Sequence, residues 1–500
     1  MSTTEPAPLS DARTILTPGA VVTRRDWPQD TPVRSIHVIC IGGAGMSAVA
    51  RLALEAGFAV SGSDSQDGQF IAPLREAGAR IGIGFDASLL SEDVDVVVVS
   101  TAVRPDNPEV IEAHRRGLPV VHRAAALAGM LAGRRLIAVA GTHGKTSTTG
   151  MCAMALRGAG EDPAWAVGAA VPDLGRNAGF GAGDGGLAVV EADESDGSFL
   201  AFHPHALVVT NLEPDHLDFH GDAARLTAAF DAVSTQLAPG GILVTCADDP
   251  GAAALAQRAA QRGTRVVTYG ADPSADWRLL EETPGTHGAA ARVHGPLGEL
   301  RQELSVAGHH NVLNAIAALA ATTHACPDAD LHALARGLGD FHGASRRWDV
   351  AGTAGGVTVV DDYAHHPREV TATLQAARAI TNQAGTGRVL AVFQPHLFSR
   401  TRDFAADFAS SLALADEAWV LPVYGAREDP DTSIDARTIT AHAPAGSRMH
   451  ALQDSDALEE HLLGAVRRGD LLLMLGAGDI VNRTPSVLAA LEGAAGMECG

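Results

Sequence analysis

Residues 138–150 read AVAGTHGKTSTTG and hold Lys145, the only lysine of a 500-residue chain whose other basic side chains are all arginine. A guanidinium is a wide planar fork, whereas a primary ammonium on a flexible stem can thread between backbone amides to reach a phosphate. The strand-like RLIAVAG (135–141) precedes the loop and an Ala/Met-rich helical run follows it. In such a strand–turn–helix corner, Gly141, Thr142, His143 and Gly144 offer backbone N–H groups to an anion. The helix N-terminus adds its dipole, and Lys145 reaches the terminal phosphates of ATP. Thr146, with Ser147 beside it, is placed to hold Mg²⁺ through its hydroxyl. The usual eight-residue spacing asks for glycine at 138, where Ala138 stands, so the loop is a variant. GTHG recurs at 285–288 with neither lysine nor an apolar helix behind it, and reads as a plain turn.

A metal on a phosphate needs carboxylates. VVEADESDGSFL (189–200) closes one strand with Glu191, Asp193, Glu194 and Asp196, and VVTNLEPDHLDFHG (208–221) closes the next with Glu213, Asp215, His216 and Asp218. Strand ends in open α/β sheets face the ligand crevice. Any one of these acids alone reads as a solvated loop charge. Two acidic strand ends beside a lysine loop read as a site for one or two Mg²⁺ ions.

A second corner lies upstream. In IHVICIGGAGMSAVARLALEAG, Gly43-x-Gly45-x-x-Ala48 fits the dinucleotide fingerprint, and Asp64 closes the next strand about 20 residues on, where an acid binds a ribose. Alone, this suggests a nicotinamide-dependent oxidoreductase, yet any nucleotide diphosphate fits such a turn, and an ATP loop in the same chain argues against a simple dehydrogenase.

The elements that must position these residues are β-branched runs alternating with Ala/Leu-rich helical stretches. Strands are predicted at 36–41, 94–100, 135–141, 187–193, 206–212, 241–246, 265–270, 388–393, 418–423 and 471–475, with FAVSGSD ending the second strand of the first block. Continuous apolar strands flanked by helices imply parallel sheets buried on both faces, hence an α/β protein of several doubly wound units. Three blocks follow a loose head at 1–33: 34–123, 124–341 and 342–500, with a small β excursion at 273–300. Aromatic residues make up only 4%, so the cores must be built from Ala, Val and Leu.

A formal charge of −22 and no lysine-rich patch exclude a basic face for nucleic acid. Five cysteines without a CxxC pair fit a reducing cytoplasm. The head lacks the apolar run of a signal peptide, and the longest apolar runs are strand-sized, so neither secretion nor a membrane span is expected.

CIGGAGMS (40–47), GTHGKTSTT (141–149), EADESDGSFL (191–200), TNLEPDHLD (210–218), GHHNVLNA (308–315), FHGASRRW (341–348), DDYAHHP (361–367) and FQPHLFSRTRDF (393–404) occur in one order and together resemble the Mur ligases of peptidoglycan assembly. The loop and EADESD are shared across that family; the first turn, DDYAHHP and QPH…SRTR point to its alanine-adding branch. The resemblance implies a Rossmann-like UDP-binding domain, a central P-loop-type ATPase domain with a parallel sheet, and a Rossmann-like C-terminal amino-acid-binding domain. It implies ATP and Mg²⁺ as cofactors and UDP-N-acetylmuramate and L-alanine as substrates, in a cytoplasmic monomer or homodimer. Residue by residue, Lys145 and Thr146 would hold phosphate and metal, and Glu191 and His216 would be metal ligands. His310, Asn311 and Asn314 would line the adenine. Arg346 or Arg347 and Asp362 would close on ATP. Gly42, Gly43, Gly45, Asp64 and Arg123 would hold the UDP-sugar. Tyr363, His365, His396, Arg400 and Arg402 would lie near the muramoyl carboxylate and the alanine. Leu397 stands where arginine is expected, which moves one carboxylate contact to Arg400 or Arg402. Cys40 replaces a glycine, a change expected to touch only strand packing.

The implied chemistry activates a carboxylate as an acyl phosphate, with Lys145, the loop amides and Mg²⁺ stabilising the transferring phosphoryl group. A neutral amine then attacks, its proton passing to a carboxylate or to His365 or His396; each histidine could equally be structural. Domain closure would keep water from the acyl phosphate. Three alternatives stand beside this reading: a ligase adding a whole peptide to the same sugar or glutamate to folate, an oxidoreductase, and a non-enzymatic nucleotide-gated binding protein.

Overall fold

The computed structural model describes residues 22, 26–181, 186–285, 288–385, 387–426 and 428–498. Most of the head, Thr286 and His287 of the second GTHG, Cys499 and the side chain of Asp218 lie outside the described residues. The chain divides into two compact units, one comprising the chain to Glu281 with Ala291–Glu303 and Leu313–Phe341, the other Glu282–Ala290, Leu304–Val312 and His342–Gly500.

The first unit opens with β1 (Ser35–Ile39), α1 (Ala44–Glu55), β2 (Ala59–Asp64), α2 (Ile71–Glu76), β3 (Arg80–Ile83), β4 (Val96–Val99), α3 (Pro108–Arg116), β5 (Val120–His122) and α4 (Arg123–Met130). The five strands form a wholly parallel sheet in the order β3-β2-β1-β4-β5. Strand order reverses between β1 and β4, so the glycine turn after β1 sits at the switch point, where open sheets hold their ligands.

The same unit continues through β6 (Arg135–Ala140), α5 (Lys145–Gly158), β7 (Ala164–Val171), β8 (Arg176–Gly179), β9 (Leu187–Glu191), β10 (Ala206–Val209), α6 (Leu217–His220), α7 (Ala223–Ser234), β11 (Ile242–Cys246), α8 (Pro250–Gln261) and β12 (Val266–Gly270). Then come β13 (Trp277–Gly285), β14 (Gly288–Gly295), β15 (Gly298–Leu304), α9 (His309–Ala325) and α10 (Leu331–Gly339). Ten strands run in the order β15-β14-β13-β12-β11-β10-β6-β9-β7-β8. β6 lies between β9 and β10 and is parallel to both, so the lysine loop emerges flanked by the two acidic strand ends. The sheet is not parallel throughout: β7 and β8 pair antiparallel across the short turn Pro172–Gly175, a connection too short for a crossover.

The second unit contains β16 (Asp349–Ala354), β17 (Val357–Asp362), α11 (Pro367–Ala384), β18 (Val389–Phe393), α12 (Phe398–Asp403), α13 (Ala405–Leu412), β19 (Glu417–Val420), α14 (Ala436–Thr440), β20 (Met449–Ala451), α15 (Leu458–Ala465), β21 (Leu471–Leu475) and α16 (Thr484–Glu498). The sheet order is β16-β17-β21-β18-β19-β20, parallel except for the β16–β17 hairpin. Alternate residues of one strand feed opposite cores, as the period of two requires. Leu471, Leu473 and Leu475 pack with Phe393 and Phe408, while Leu472 and Met474 pack with Trp419 and Val487.

The predicted strands are all present, but several stop earlier than the apolar runs suggested. β9 ends at Glu191 rather than Asp193, and β10 at Val209 rather than Leu212. The residues beyond turn out of the ladder to build the site. Strands absent from the sequence reading are short (β3, β5, β20), Ala- and Gly-rich (β7, β8) or in the β16–β17 hairpin.

α5 and α10 cross where both lack a side chain. A Cβ on Gly158 would lie 2.5 Å from Gly337 Cα, and one on Gly337 would lie 2.3 Å from the Met154 carbonyl oxygen. Backbone cannot swing aside as a side chain can, so Gly337→Ala should lower the urea unfolding free energy by about 1–3 kcal/mol. An unchanged midpoint would mean that the two helices are not held at this separation.

Candidate active site

β6 runs straight through Ala138, which is fully buried and pairs with Val190 and Leu207 on either side. The missing glycine of the eight-residue spacing is therefore a strand residue, and the turn proper begins at Gly141. Gly141 takes φ 127°, and a Cβ there would meet Thr210 Oγ1 at 2.1 Å, so no side chain fits. The turn is stitched to the end of β10. His143 N–H donates to Asn211 Oδ1 at 2.8 Å, Asn211 Nδ2 donates to the His143 carbonyl at 3.1 Å, and Thr210 Oγ1 donates to the same carbonyl at 2.5 Å. Glu213 N–H donates to Thr142 Oγ1 at 3.0 Å. Thr210 and Asn211 were missed in the sequence because neither is charged; their signal was that TN continues an apolar strand into the acidic cluster.

Lys145 begins α5. Its Nζ donates to the carbonyls of Gly141 at 2.8 Å and Thr142 at 3.2 Å and to Glu194 Oε1 at 2.8 Å. Burial pulls its pKa down, but Glu194 and Asp193 outweigh burial and hold the ammonium above its ordinary value. Burial pushes Glu194 up to about 7 against the pull of Lys145. Thr146 Oγ1 donates to Glu191 Oε1 at 3.1 Å, and Gly168 N–H donates to Glu191 Oε2 at 2.7 Å. Ser147 lies partly buried in the first turn of α5. His216 sits at φ 53° with Nε2 3.9 Å from Glu194 Oε1 and 3.6 Å from Asp215 Oδ2. Glu194, one acid among several in the sequence, is thus the carboxylate between Lys145 and His216.

The donors suit Mg²⁺. Thr146, Glu191 and Glu194 present oxygens, and Glu194 Oε2 is buried with no hydrogen-bond partner. Among the described residues no three His, Cys, Asp or Glu side chains close on one point. A cation here therefore needs oxygens from a bound phosphate, the usual arrangement for Mg²⁺.

At the first turn, Gly42 N–H donates to Asp64 Oδ2 at 2.8 Å and Gln66 N–H to Asp64 Oδ1 at 3.2 Å, so Asp64 braces the turn that follows β1. Gly43 caps α1. Cys40 corrects an expectation: it takes φ 59°, a left-handed conformation that disfavours any side chain, so the glycine preference there is a backbone matter and not one of strand packing. Arg123, at the start of α4, donates from Nη2 to Asp193 at 2.9 Å and Asp196 at 3.4 Å. Asn314 lies against the lysine loop: a Cβ on Gly144 would be 2.8 Å from its Oδ1.

The second unit gathers another group. The Arg346 and Arg347 guanidinium carbons each stand 5.0 Å from the Tyr363 ring centre. Arg346 Nη2 donates to the Gly476 carbonyl at 2.6 Å, and Arg347 Nη1 to Glu369 Oε1 at 3.5 Å. Asp362 is buried and accepts from Trp348 N–H and Ala364 N–H, both at 2.8 Å; burial raises it to about 6. Both its oxygens serve the backbone, so it is a staple of this unit. Tyr363, His365, His396 and Tyr424 form a chain of rings with centres 5.1, 5.8 and 5.8 Å apart. His365 Nδ1 pairs with the Tyr363 carbonyl at 2.9 Å, which puts the proton on Nδ1 and leaves Nε2 as an acceptor. Burial lowers the His365 pKa to about 3, with Arg400 and His396 adding to it against Glu369. An imidazole so disposed accepts a hydrogen bond but is a poor proton store at neutral pH, which weighs against it as the base.

Arg400 stands close enough to His365 to act on its charge, whereas Arg402, two residues along α12 and so on another side, is exposed and pairs with Asp403 at 2.9 Å. Of the two arginines expected to stand in at position 397, geometry favours Arg400. Leu397 itself is buried at φ 70°. His310 is held near pKa 4 by burial, then by His309 and Arg347, and Asn311 Nδ2 donates to the Ala307 carbonyl at 2.8 Å.

Fold and site define a phosphate-loop α/β protein of three sheets, in which acidic strand ends flank the loop. The chain belongs to the Mur ligase family. The family's catalytic domain model matches residues 35–135, its middle domain residues 139–322 and its glutamate ligase domain residues 346–478. The chain is 51% identical over 461 residues to a UDP-N-acetylmuramate–L-alanine ligase of Kineococcus radiotolerans, covering 91% of this chain and 96% of that one. It is 48% identical over 459 residues to the ligase of the same name from Paenarthrobacter aurescens, covering 92% and 97%. A crystal structure of UDP-N-acetylmuramate-alanine ligase from Thermotoga maritima is similar, with TM-score 0.75 and 30% identity, covering 92% of this chain and 99% of that one. A murein peptide ligase from Psychrobacter arcticus reaches TM-score 0.67 at 25% identity, covering 92% and 99%.

His365 makes stability pH-dependent. Its folded pKa, about 3, lies below the unfolded value of 6.5, so its contribution is complete above pH 6.5 and is lost as pH falls toward 3. Denaturant titrations between pH 6.5 and 4 should show a wild-type slope steeper than that of His365→Gln by up to about 1.4 kcal/mol per pH unit, one proton's worth. Parallel slopes would mean that the imidazole protonates freely in the folded chain.

Proposed function

We propose that the protein joins L-alanine to the lactyl carboxylate of UDP-N-acetylmuramate, consuming ATP and releasing ADP and phosphate, in peptidoglycan precursor synthesis. The single observation that carries this reading is Lys145, caged by two loop carbonyls and Glu194 at the mouth of a loop flanked by acidic strand ends. Among the solved structures, the alanine ligase of Thermotoga maritima matches at 30% identity and TM-score 0.75, against 25% and 0.67 for the murein peptide ligase, which favours a single amino acid over a peptide as the incoming group.

In this mechanism the γ-phosphoryl of ATP docks against the loop amides, and Lys145 turns from Glu194 toward it. Thr146 and Glu191, with His216 at hand, are the residues to hold Mg²⁺, which when bound supplies charge neutralisation on the phosphates. The muramoyl carboxylate oxygen attacks the γ-phosphorus, giving an acyl phosphate and ADP. The neutral amine of alanine attacks the acyl carbon, the C–O bond to phosphate breaks, and the proton the amine loses ends on the departing phosphate, which leaves as hydrogen phosphate. His365, through unprotonated Nε2, accepts a hydrogen bond that orients the amine, and Arg400 pairs with a substrate carboxylate. Gly42, Gly43, Gly45 and Arg123 take the uridine diphosphate, while His310, Asn311 and Arg347 serve the nucleotide. In this reading the enzyme works in the cytoplasm, where its nucleotide substrates are made, as a monomer or homodimer.

ADP release by the full chain should require UDP-N-acetylmuramate and L-alanine together. Multiple-turnover release with either omitted, or with a peptide in place of alanine, would reject this assignment; a single equivalent of ADP without alanine is only the acyl-phosphate step. Lys145→Arg keeps the charge but not the shape; amide formation should fall about 10²–10³-fold, the range for losing one transition-state donor, while the thermal unfolding profile stays intact. Near-normal turnover in that variant would refute the geometric argument.

A further inference from the structure

Arg123 occupies a position that none of the functional readings above uses in full. It opens α4 in the first sheet's domain, yet its guanidinium crosses to the loop after β9, where Nη2 meets Asp193 Oδ2 at 2.9 Å and Asp196 Oδ2 at 3.4 Å. Its other edge faces the glycine turn: a Cβ added to Gly45 would sit 3.2 Å from Nη1. One cation therefore stands between the turn assigned to a diphosphate and the acidic segment whose next carboxylate, Glu194, holds Lys145.

The carboxylates on Arg123 are supported from elsewhere. Asp196 also lies 3.3 Å from His122 Nε2, accepts from Thr101 Oγ1 at 3.3 Å and from Ser198 N–H at 3.0 Å. Asp193 Oδ1 accepts from Ser195 N–H at 3.0 Å. Withdrawing the guanidinium takes the hydrogen bond from Asp193 Oδ2 but leaves Asp193 Oδ1 with Ser195 N–H and Asp196 with Thr101, Ser198 and His122, so neither acid loses every partner when the ion pair opens. A diphosphate offers a guanidinium the same charge-assisted, bidentate hydrogen bonds as a carboxylate, so it can replace one.

We propose that Arg123 is a diphosphate-binding cation held in reserve by Asp193 and Asp196, and that the UDP-sugar binds by drawing the guanidinium away from them. The two acids are then positioning residues that weaken UDP-sugar binding in the resting enzyme. The same exchange ties occupancy of the first turn to the charge beside the lysine loop, because Asp193 lies in the field of both Arg123 and Lys145. This rests on the reading of the first domain as the UDP-sugar site.

The test is calorimetric titration of the full chain with UDP-N-acetylmuramate, and with UDP alone, for the wild type, Asp193→Asn, Asp196→Asn, Arg123→Met and the double variant Arg123→Met/Asp193→Asn. Asparagine keeps the backbone hydrogen bonds of either acid, and thermal melts check folding. The proposal expects each asparagine variant to bind about fivefold tighter, Arg123→Met about tenfold weaker, and the double variant no tighter than Arg123→Met, since without the cation the acid has nothing to withhold. A purely structural acid would leave affinity unchanged or reduce it. Unchanged or weaker binding in both folded asparagine variants overturns the proposal, as does tightening that persists without Arg123. If the wild type binds neither ligand, it is the UDP-sugar reading itself that fails.

Discussion

The structure turns on a desolvated ammonium. Lys145 is taken out of bulk water by two loop carbonyls and a carboxylate that is itself buried, and burial alone would favour its neutral form. The pair is tolerable only because every partner is fixed. Gly141 closes the loop at a backbone angle few other residues accept, Thr210 and Asn211 pin His143, and the central place of β6 sets Glu194 and the β10 end on either side. Loosen any of these and an unpaired charge remains in a low-dielectric pocket, which is far costlier than a lost surface contact.

That constraint explains how the sheets are used. In the first two sheets the chemistry-bearing residues follow the carboxyl ends of parallel strands: the turn after β1, the lysine loop after β6, the acids after β9 and β10. In the second unit Tyr363 and His365 follow β17, and His396 and Arg400 follow β18. The apolar strands are rigid rails, and the residues just past them are aimed by the rails. The antiparallel hairpins β7–β8 and β16–β17 close one edge of their sheets with β8 and β16, while β7 and β17 still serve the site through Gly168 and the Tyr363–His365 turn.

Much of this was legible in the residues. The loop, its lysine, both acidic strand ends and the alternation of strand and helix all announce themselves by type and spacing, since phosphate binding leaves few options for backbone and charge. What stayed hidden depends on three-dimensional partners. Glu194 looked like its neighbours until Lys145 chose it. Asp64 and Asp362 stood out as acids, but that they brace backbone N–H groups shows only in three dimensions. Arg402 looked equal to Arg400 until helical periodicity turned it outward. Cys40 and Leu397 were read as side-chain changes, whereas both sit at positive φ, a property of the backbone that residue type discloses only when glycine is present. His365 was a plausible base by position alone; burial makes it an acceptor.

The solitary lysine also makes the protein its own probe. Lys145 carries the single side-chain primary amine of the sequence, and that amine is engaged on three sides. Acylating reagents that label most proteins at dozens of lysines would here find one lysine Nζ. The rate at which they do so becomes a direct optical or mass readout of whether the cage around it is shut.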